Sequence, residues 1–133
     1  MSEPVADPRA QSWASLQGER YIQLTTFRKD GRAVATPVWF VDFGGKLVVY
    51  TVATSGKVRR IRHTPRVEVA ACDRRGRVHG PRLHGTARLL PAEEWRAAEQ
   101  ALNRKYPLKR LLNLARRLAR RQAGITYLEI RPA

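Results

Sequence analysis

The stretch YIQLTTFRKDGRAVATPVWFVDFGGKLVVYTVA, residues 21–53, decides the architecture. Its β-branched and aromatic residues fall into three runs, 21–27, 33–41 and 47–53, separated by Lys29-Asp30-Gly31-Arg32 and by Phe43-Gly44-Gly45. Asp-Gly and Gly-Gly supply the positive φ angles that tight hairpins demand. Strands joined this tightly form an antiparallel meander, since a parallel crossover needs roughly a dozen residues or more.

Outward from that meander, a fourth strand is expected over 67–72. Asp73-Arg74-Arg75-Gly76-Arg77 turns the chain into a long fifth segment, Val78 to Leu90. Gly80-Pro81 and Gly85 interrupt it, as bends or bulges at the corners of a closing barrel would. The period then switches. Pro91 suits a helix start, with Glu93 and Glu94 at the positive end of the dipole. Trp95, Ala98, Leu102 and Tyr106 share one face of that helix, and Pro107 ends it. A second helix over 108–122 puts Leu108, Leu111, Leu112, Leu114, Ala115, Leu118 and Ala119 on one half of the wheel. Lys109, Arg110, Arg116, Arg117, Arg120 and Arg121 lie on the other half. Gly124 caps it, and residues 125–131 read as a returning strand. Upstream, residues 1–12 form a loose arm, and a short helix begins at Ser12-Trp13 and ends near Gly18. The expected fold is mainly β with helices: six antiparallel strands, a short helix after the third and a helical hairpin before the last. Closing a small barrel would remove its exposed edges.

A chain of 133 residues accommodates one such domain with its own core. Its apolar runs are too short to span a bilayer, and its polar, proline-broken beginning is unlike an export signal. Cys72 has no second cysteine to pair with, which fits a reducing cytoplasm. The charge is lopsided: 26 Lys and Arg against 11 Asp and Glu, a formal +15. Such a surface attracts polyanions, whether nucleic acid, anionic lipid or phosphorylated small molecules. Arginine outnumbers lysine 21 to 5. That bias suits bidentate anion contacts, or it reflects a GC-rich genome.

Two local anomalies carry chemistry. In Thr54-Ser55-Gly56-Lys57-Val58-Arg59-Arg60-Ile61 a strand stops on a burst of positive charge closed by His63-Thr64-Pro65. A P-loop would need Gly at 51 and Ser or Thr at 58; Thr51 and Val58 stand there, which disfavours an ATPase. Ser55 is a natural N-cap, Gly56 lets backbone approach a ligand, and Lys57 adds a compact cation at a helix start. The pattern therefore fits a phosphate-binding corner or an ordinary capped helix with solvated arginines. The second anomaly is Thr36-Pro37-Val38-Trp39. Proline cannot donate to a sheet ladder, so it marks an edge, a bulge or a place where something other than a strand lies alongside. His63, His79 and His84 lack the acidic or cysteine neighbours of a metal site. No catalytic constellation is recognisable from spacing. The basic helix 108–122 packs on the barrel, attracts a polyanion or steers an anionic ligand; no nucleic-acid reader motif accompanies it.

Taken together in this order, Tyr21–Phe40, Thr54–Ile61, His63–Val67 and Gly80–Leu90 resemble the flavin and deazaflavin oxidoreductases of the pyridoxamine-phosphate-oxidase-like class, in particular its coenzyme F420-dependent branch. The likeness covers residues 15 to 130. It implies a six-stranded split β-barrel, a homodimer, and a coenzyme groove at the dimer interface. Ser55, Gly56, Lys57, Val58 and Arg60 would hold the coenzyme's phosphate, and Thr36, Pro37, Val38 and Trp39 would run beside its tricyclic ring. The implied reaction is hydride transfer from reduced F420 to an activated double bond of an enone or quinone-like acceptor. The alternatives are an FMN-dependent relative using the same corner, or a protein that binds cofactor or nucleic acid without catalysis.

Overall fold

The computed structural model describes residues 13–106 and 124–132. The arm over 1–12 and the basic helix over 108–122 lie outside the described residues. A 3-10 turn at Trp13–Leu16 leads into strands β1 (Tyr21–Phe27), β2 (Ala33–Phe43) and β3 (Lys46–Val52). Helix α1 (Gly56–His63), β4 (Arg66–Cys72), β5 (Leu83–Leu89), helix α2 (Trp95–Lys105) and β6 (Ile125–Pro132) follow. The sheet is a closed antiparallel barrel of strand order β1-β2-β3-β6-β5-β4. No described helix is long and apolar enough to cross a membrane.

The expected turns form, each for its own reason. Gly44 and Gly45 both have positive φ, 65° and 83°, between the paired residues Phe43 and Lys46. That is the two-residue turn whose twist matches the flanking strands. The Asp-Gly turn is wider: Gly31 N–H donates to Arg28 O at 2.9 Å, and Arg28 N–H to Arg32 O at 2.9 Å. The same pattern recurs at Asp73, where Gly76 N–H donates to Asp73 O and Asp73 N–H to Arg77 O, both at 3.0 Å.

Alternation assigns the faces. Ile22, Leu24, Val38, Phe40, Leu47, Val49, Val67, Val69, Leu128 and Ile130 fill the barrel with Trp13, Leu16 and Ile61. Val48, Tyr50 and Tyr127 point outward and are covered with α2 through Ala98, Ala101 and Leu102. Tyr106, at the C-cap of α2, accepts a hydrogen bond from Phe40 N–H at 3.0 Å. Its hydroxyl also lies 2.7 Å from the carbonyl oxygens of Phe40 and Arg20. Tyr106 therefore ties the helix to β2, and a half-exposed helix needs such an anchor.

The fifth segment corrects the sequence reading. Val78 makes only one isolated bridge, to Cys72, and β5 proper starts at Leu83, beyond Gly80-Pro81. Gly85 does not interrupt the strand: it pairs with Val67 on one side and Pro132 on the other. A Cβ there would meet Arg131 O and Ile130 Cγ2, each at 2.9 Å. Close approach of β6 explains this glycine, and no bend is involved. On β6, Glu129 faces outward yet is only 2 % exposed. Arg88 donates to it at 2.9 Å and Arg131 at 2.5 Å, with Lys46 Nζ 3.5 Å away.

Candidate functional site

The barrel is split on one side, and strand register shows where. β2 and β3 pair only from Phe40↔Val49 to Phe43↔Lys46. Beyond Val49, residues Tyr50, Thr51 and Val52 continue on β6 alone, opposite Tyr127, Thr126 and Ile125. Before Phe40, residues 33–39 keep β1 as their partner. The two strands thus diverge, leaving a hollow of about 300 Å3. Pro37, Val38 and Trp39 line one side, Tyr50, Thr51 and Val52 the other, with Tyr21 and Lys57 completing it. Pro37 therefore has a strand on one side and none on the other, where a missing N–H donor costs no ladder bond. Trp39 is held in place by Tyr106, whose ring stacks on it at 4.7 Å and 10°.

The split runs toward the start of α1. Ser55 occupies the expected N-cap position in extended conformation, but its side chain makes no capping bond. Its Oγ is buried and has no hydrogen-bond partner at all. This corrects the expected cap. A buried hydroxyl left unpaired costs about 1–3 kcal/mol, and such exceptions call for an explanation such as an absent ligand. Rotation about χ1 moves a serine oxygen between staggered positions, so the group is uncommitted. At Gly56, a Cβ would come within 2.7 Å of Arg60 Nη1. Glycine lets that guanidinium fold over the helix start, and Arg60 Nε also donates to Thr26 Oγ1 at 2.6 Å. Desolvation, aided by the charge of Arg60, holds the Lys57 amine below the ordinary lysine range. Arg60 itself is lowered by desolvation and by the charges of Arg28 and Arg59. Two desolvated cations beside a helix N-terminus, with Arg28 and Arg59 adding charge, favour an anion among them.

Of the nine residues anticipated from sequence, six line one of two hollows, and Ser55 lines neither. Pro37, Val38, Trp39 and Lys57 line the split; Gly56 and Arg60 line a neighbouring hollow of about 330 Å3 with Phe27, Arg28, Lys29, Arg59 and His63. Thr36 is half-buried opposite Leu24 and lines neither. Val58 is 1 % exposed, with its side chain committed to packing, so only its backbone N–H is available to a ligand. Sequence reasoning missed Tyr21, Tyr50, Thr51 and Arg28. Tyr50 and Thr51 lie on the strand that leads to the Ser-Gly-Lys corner, but that strand's separation from β2 has no local signature. His79 contacts the Glu19 carboxylate, and among the described residues no three metal-ligating side chains converge.

A six-stranded antiparallel barrel, opened between two strands beside a basic helix start, defines a split-barrel class of proteins. The chain belongs to the pyridoxamine 5'-phosphate oxidase family, whose model matches residues 9–133. No curated protein matches it significantly by sequence. Among solved structures it is similar to HutZ, the heme storage protein from Vibrio cholerae, with TM-score 0.68 and 14% identity over 92% of this chain and 88% of that one. An F420 reductase superposes with TM-score 0.61 and 20% identity, covering 91% of this chain and 92% of that chain. A FAD-binding protein from Mesorhizobium loti gives TM-score 0.63 and 18% identity over 92% and 85%. At these identities the likeness shows the fold.

Proposed function

We propose that the protein is an oxidoreductase that binds reduced coenzyme F420 in the split and serves hydride transfer to a conjugated enone or quinone-like small molecule. The observation that carries this reading is the unpartnered, buried Ser55 Oγ, two residues before the desolvated Lys57 that lines the hollow between β2 and β3. Ser55, the N–H groups of Gly56, Lys57 and Val58, and the Lys57 ammonium would hold the phosphate. Thr36 to Trp39 would orient the tricyclic ring from β2, with Thr36 contributing backbone only. Tyr21, Val38, Trp39 and Tyr50 would exclude water from its faces. When bound, such a ring supplies two-electron hydride chemistry, and the chain's task is placement and exclusion of competing reactions.

The hollow beside Gly56 favours F420 over FMN. Arg28, Lys29 and Arg59 line it, and none forms an ion pair among the described residues. A tail of glutamates would satisfy these charges, whereas FMN ends at its phosphate. FMN remains the second reading, because the phosphate corner serves both and the family takes its name from a flavin-type oxidase. The reading includes a homodimer, with the partner closing the groove, and a cytoplasmic location suited to the buried, reduced Cys72. The test is a parallel fluorescence titration with oxidised F420 and with FMN. Tight binding of F420 alone supports the proposal; FMN alone moves the protein to the flavin reading. Binding of neither overturns the phosphate corner and turns attention to the basic surface.

A further inference from the structure

Tyr106, the C-cap of α2, lines neither hollow of the site but touches a wall of the split. The β1–β2 ladder ends at Tyr21↔Trp39, and β2–β3 pairing starts at the next residue, Phe40. Arg20 and Phe40 would form the next rung of the first ladder, and the Tyr106 hydroxyl stands in its place. It accepts from Phe40 N–H at 3.0 Å and has Phe40 O and Arg20 O, each at 2.7 Å, to donate to. Burial raises the pKa of this hydroxyl, so it keeps its proton at neutral pH. The ring lies flat on Trp39, with 4.7 Å between centroids and 10° between planes. Trp39 is half-buried and lines the split. Its Nε1–H has no hydrogen-bond partner among the described residues and is not buried. No hydrogen bond therefore selects the indole rotamer, and packing must do so. That packing comes from the Tyr106 ring and from the outer cluster, which also holds Tyr50 of the opposite wall.

We infer that Tyr106 is a positioning residue for the flat ring that the split takes. It acts through Trp39, holding the indole plane as a preformed wall, and does not itself touch the ligand. The inference rests on the reading that a flat ring binds in the split. The two ends of Tyr106 divide the work. The hydroxyl holds β1 and β2 at the last rung and serves stability, while the ring sets the indole and serves affinity. A wall ordered beforehand spares the ligand the cost of ordering it. Helix α2 is thereby coupled to a hollow that it does not line.

The test compares the full chain with Tyr106→Phe and Tyr106→Leu, each labelled with 15N at its tryptophan indoles and titrated with oxidised F420 and with FMN. Both variants should melt at lower temperature, since Phe40 N–H loses its acceptor in each. Phenylalanine keeps the stack, so the Trp39 indole peak should stay near its wild-type position and Kd within about twofold. Leucine removes the stack: the Trp39 peak should move, and Kd should rise about 3- to 10-fold, the worth of an aromatic pair. Equal loss of affinity in the two variants, or unchanged affinity in Tyr106→Leu, overturns the inference. A measurement on the ligand-free wild type needs no variant to fold. Its Trp39 indole should show an order parameter near that of rigid backbone, about 0.85, and a value below about 0.6 overturns the inference. Wild type that binds neither ring overturns the reading of the split as well, whereas wild type and Tyr106→Leu binding a ring equally well overturns this role alone.

Discussion

Replacing Lys57 by methionine should move stability and ligand affinity in opposite directions. In the free protein the Lys57 ammonium is partly desolvated and sits beside Arg60, with no carboxylate to offset either penalty. Methionine keeps the stem and removes the charge, so the unliganded barrel should gain about 0.5–1 kcal/mol, the usual size of a single stabilising change. For a chain of this length each kcal/mol corresponds to roughly 4 °C, so Tm should rise by about 2–4 °C. Binding should suffer instead. A charged hydrogen bond to phosphate is worth about 1.5–3 kcal/mol, which corresponds to a Kd raised roughly 10- to 150-fold. Thermal unfolding without ligand and a fluorescence titration with F420 read the two quantities independently. A lysine that merely solvates a helix would leave affinity unchanged, and one that braces the fold would lower Tm. Either result refutes the reasoning from desolvation to anion binding.

Two further outcomes test the fold itself. Gly85→Ala should destabilise by about 1–3 kcal/mol in denaturant unfolding, because the new methyl meets Arg131 O and Ile130 Cγ2 at 2.9 Å; a neutral result would mean that β6 shifts freely. Glu129→Gln should cost about 2–4 kcal/mol at neutral pH, since it leaves Arg88, Arg131 and Lys46 facing a neutral group. Burial raises the Glu129 carboxyl, but its bonds to Arg88 and Arg131 outweigh that and hold it below the ordinary 4.5. Its contribution is therefore complete above that value and is lost as pH falls through the lower folded value. The gap between wild type and variant should close in acid, and a gap independent of pH would contradict the ion cluster.

Local chemistry made much of this protein legible before any coordinates. Period-two runs, Asp30-Gly31 and Gly44-Gly45 mark strands and turns through steric preferences that act within a few residues. Pro37 announced a place without a ladder, and Ser55-Gly56-Lys57 announced the start of a helix, for the same reason. Gly85 was misread because its cause is not local: it is small to admit β6, a strand some forty residues downstream. The glycine alone cannot distinguish a bend from a close approach.

The candidate site divides along the same line. Sequence by itself determined six antiparallel strands, the helix after the third and the two anomalous motifs, because each follows from backbone sterics or side-chain character over short spans. Only the tertiary structure decided that β3 leaves β2 after Val49 to follow β6, since that depends on pairings between residues more than seventy positions apart. The divergence brings Tyr21 and Tyr50 to the hollow, sends the Val58 side chain into packing and leaves Ser55 Oγ buried without a partner. Burial and desolvation are properties of assembled neighbours, so the groups that make the corner receptive to an anion became visible only once the barrel was closed.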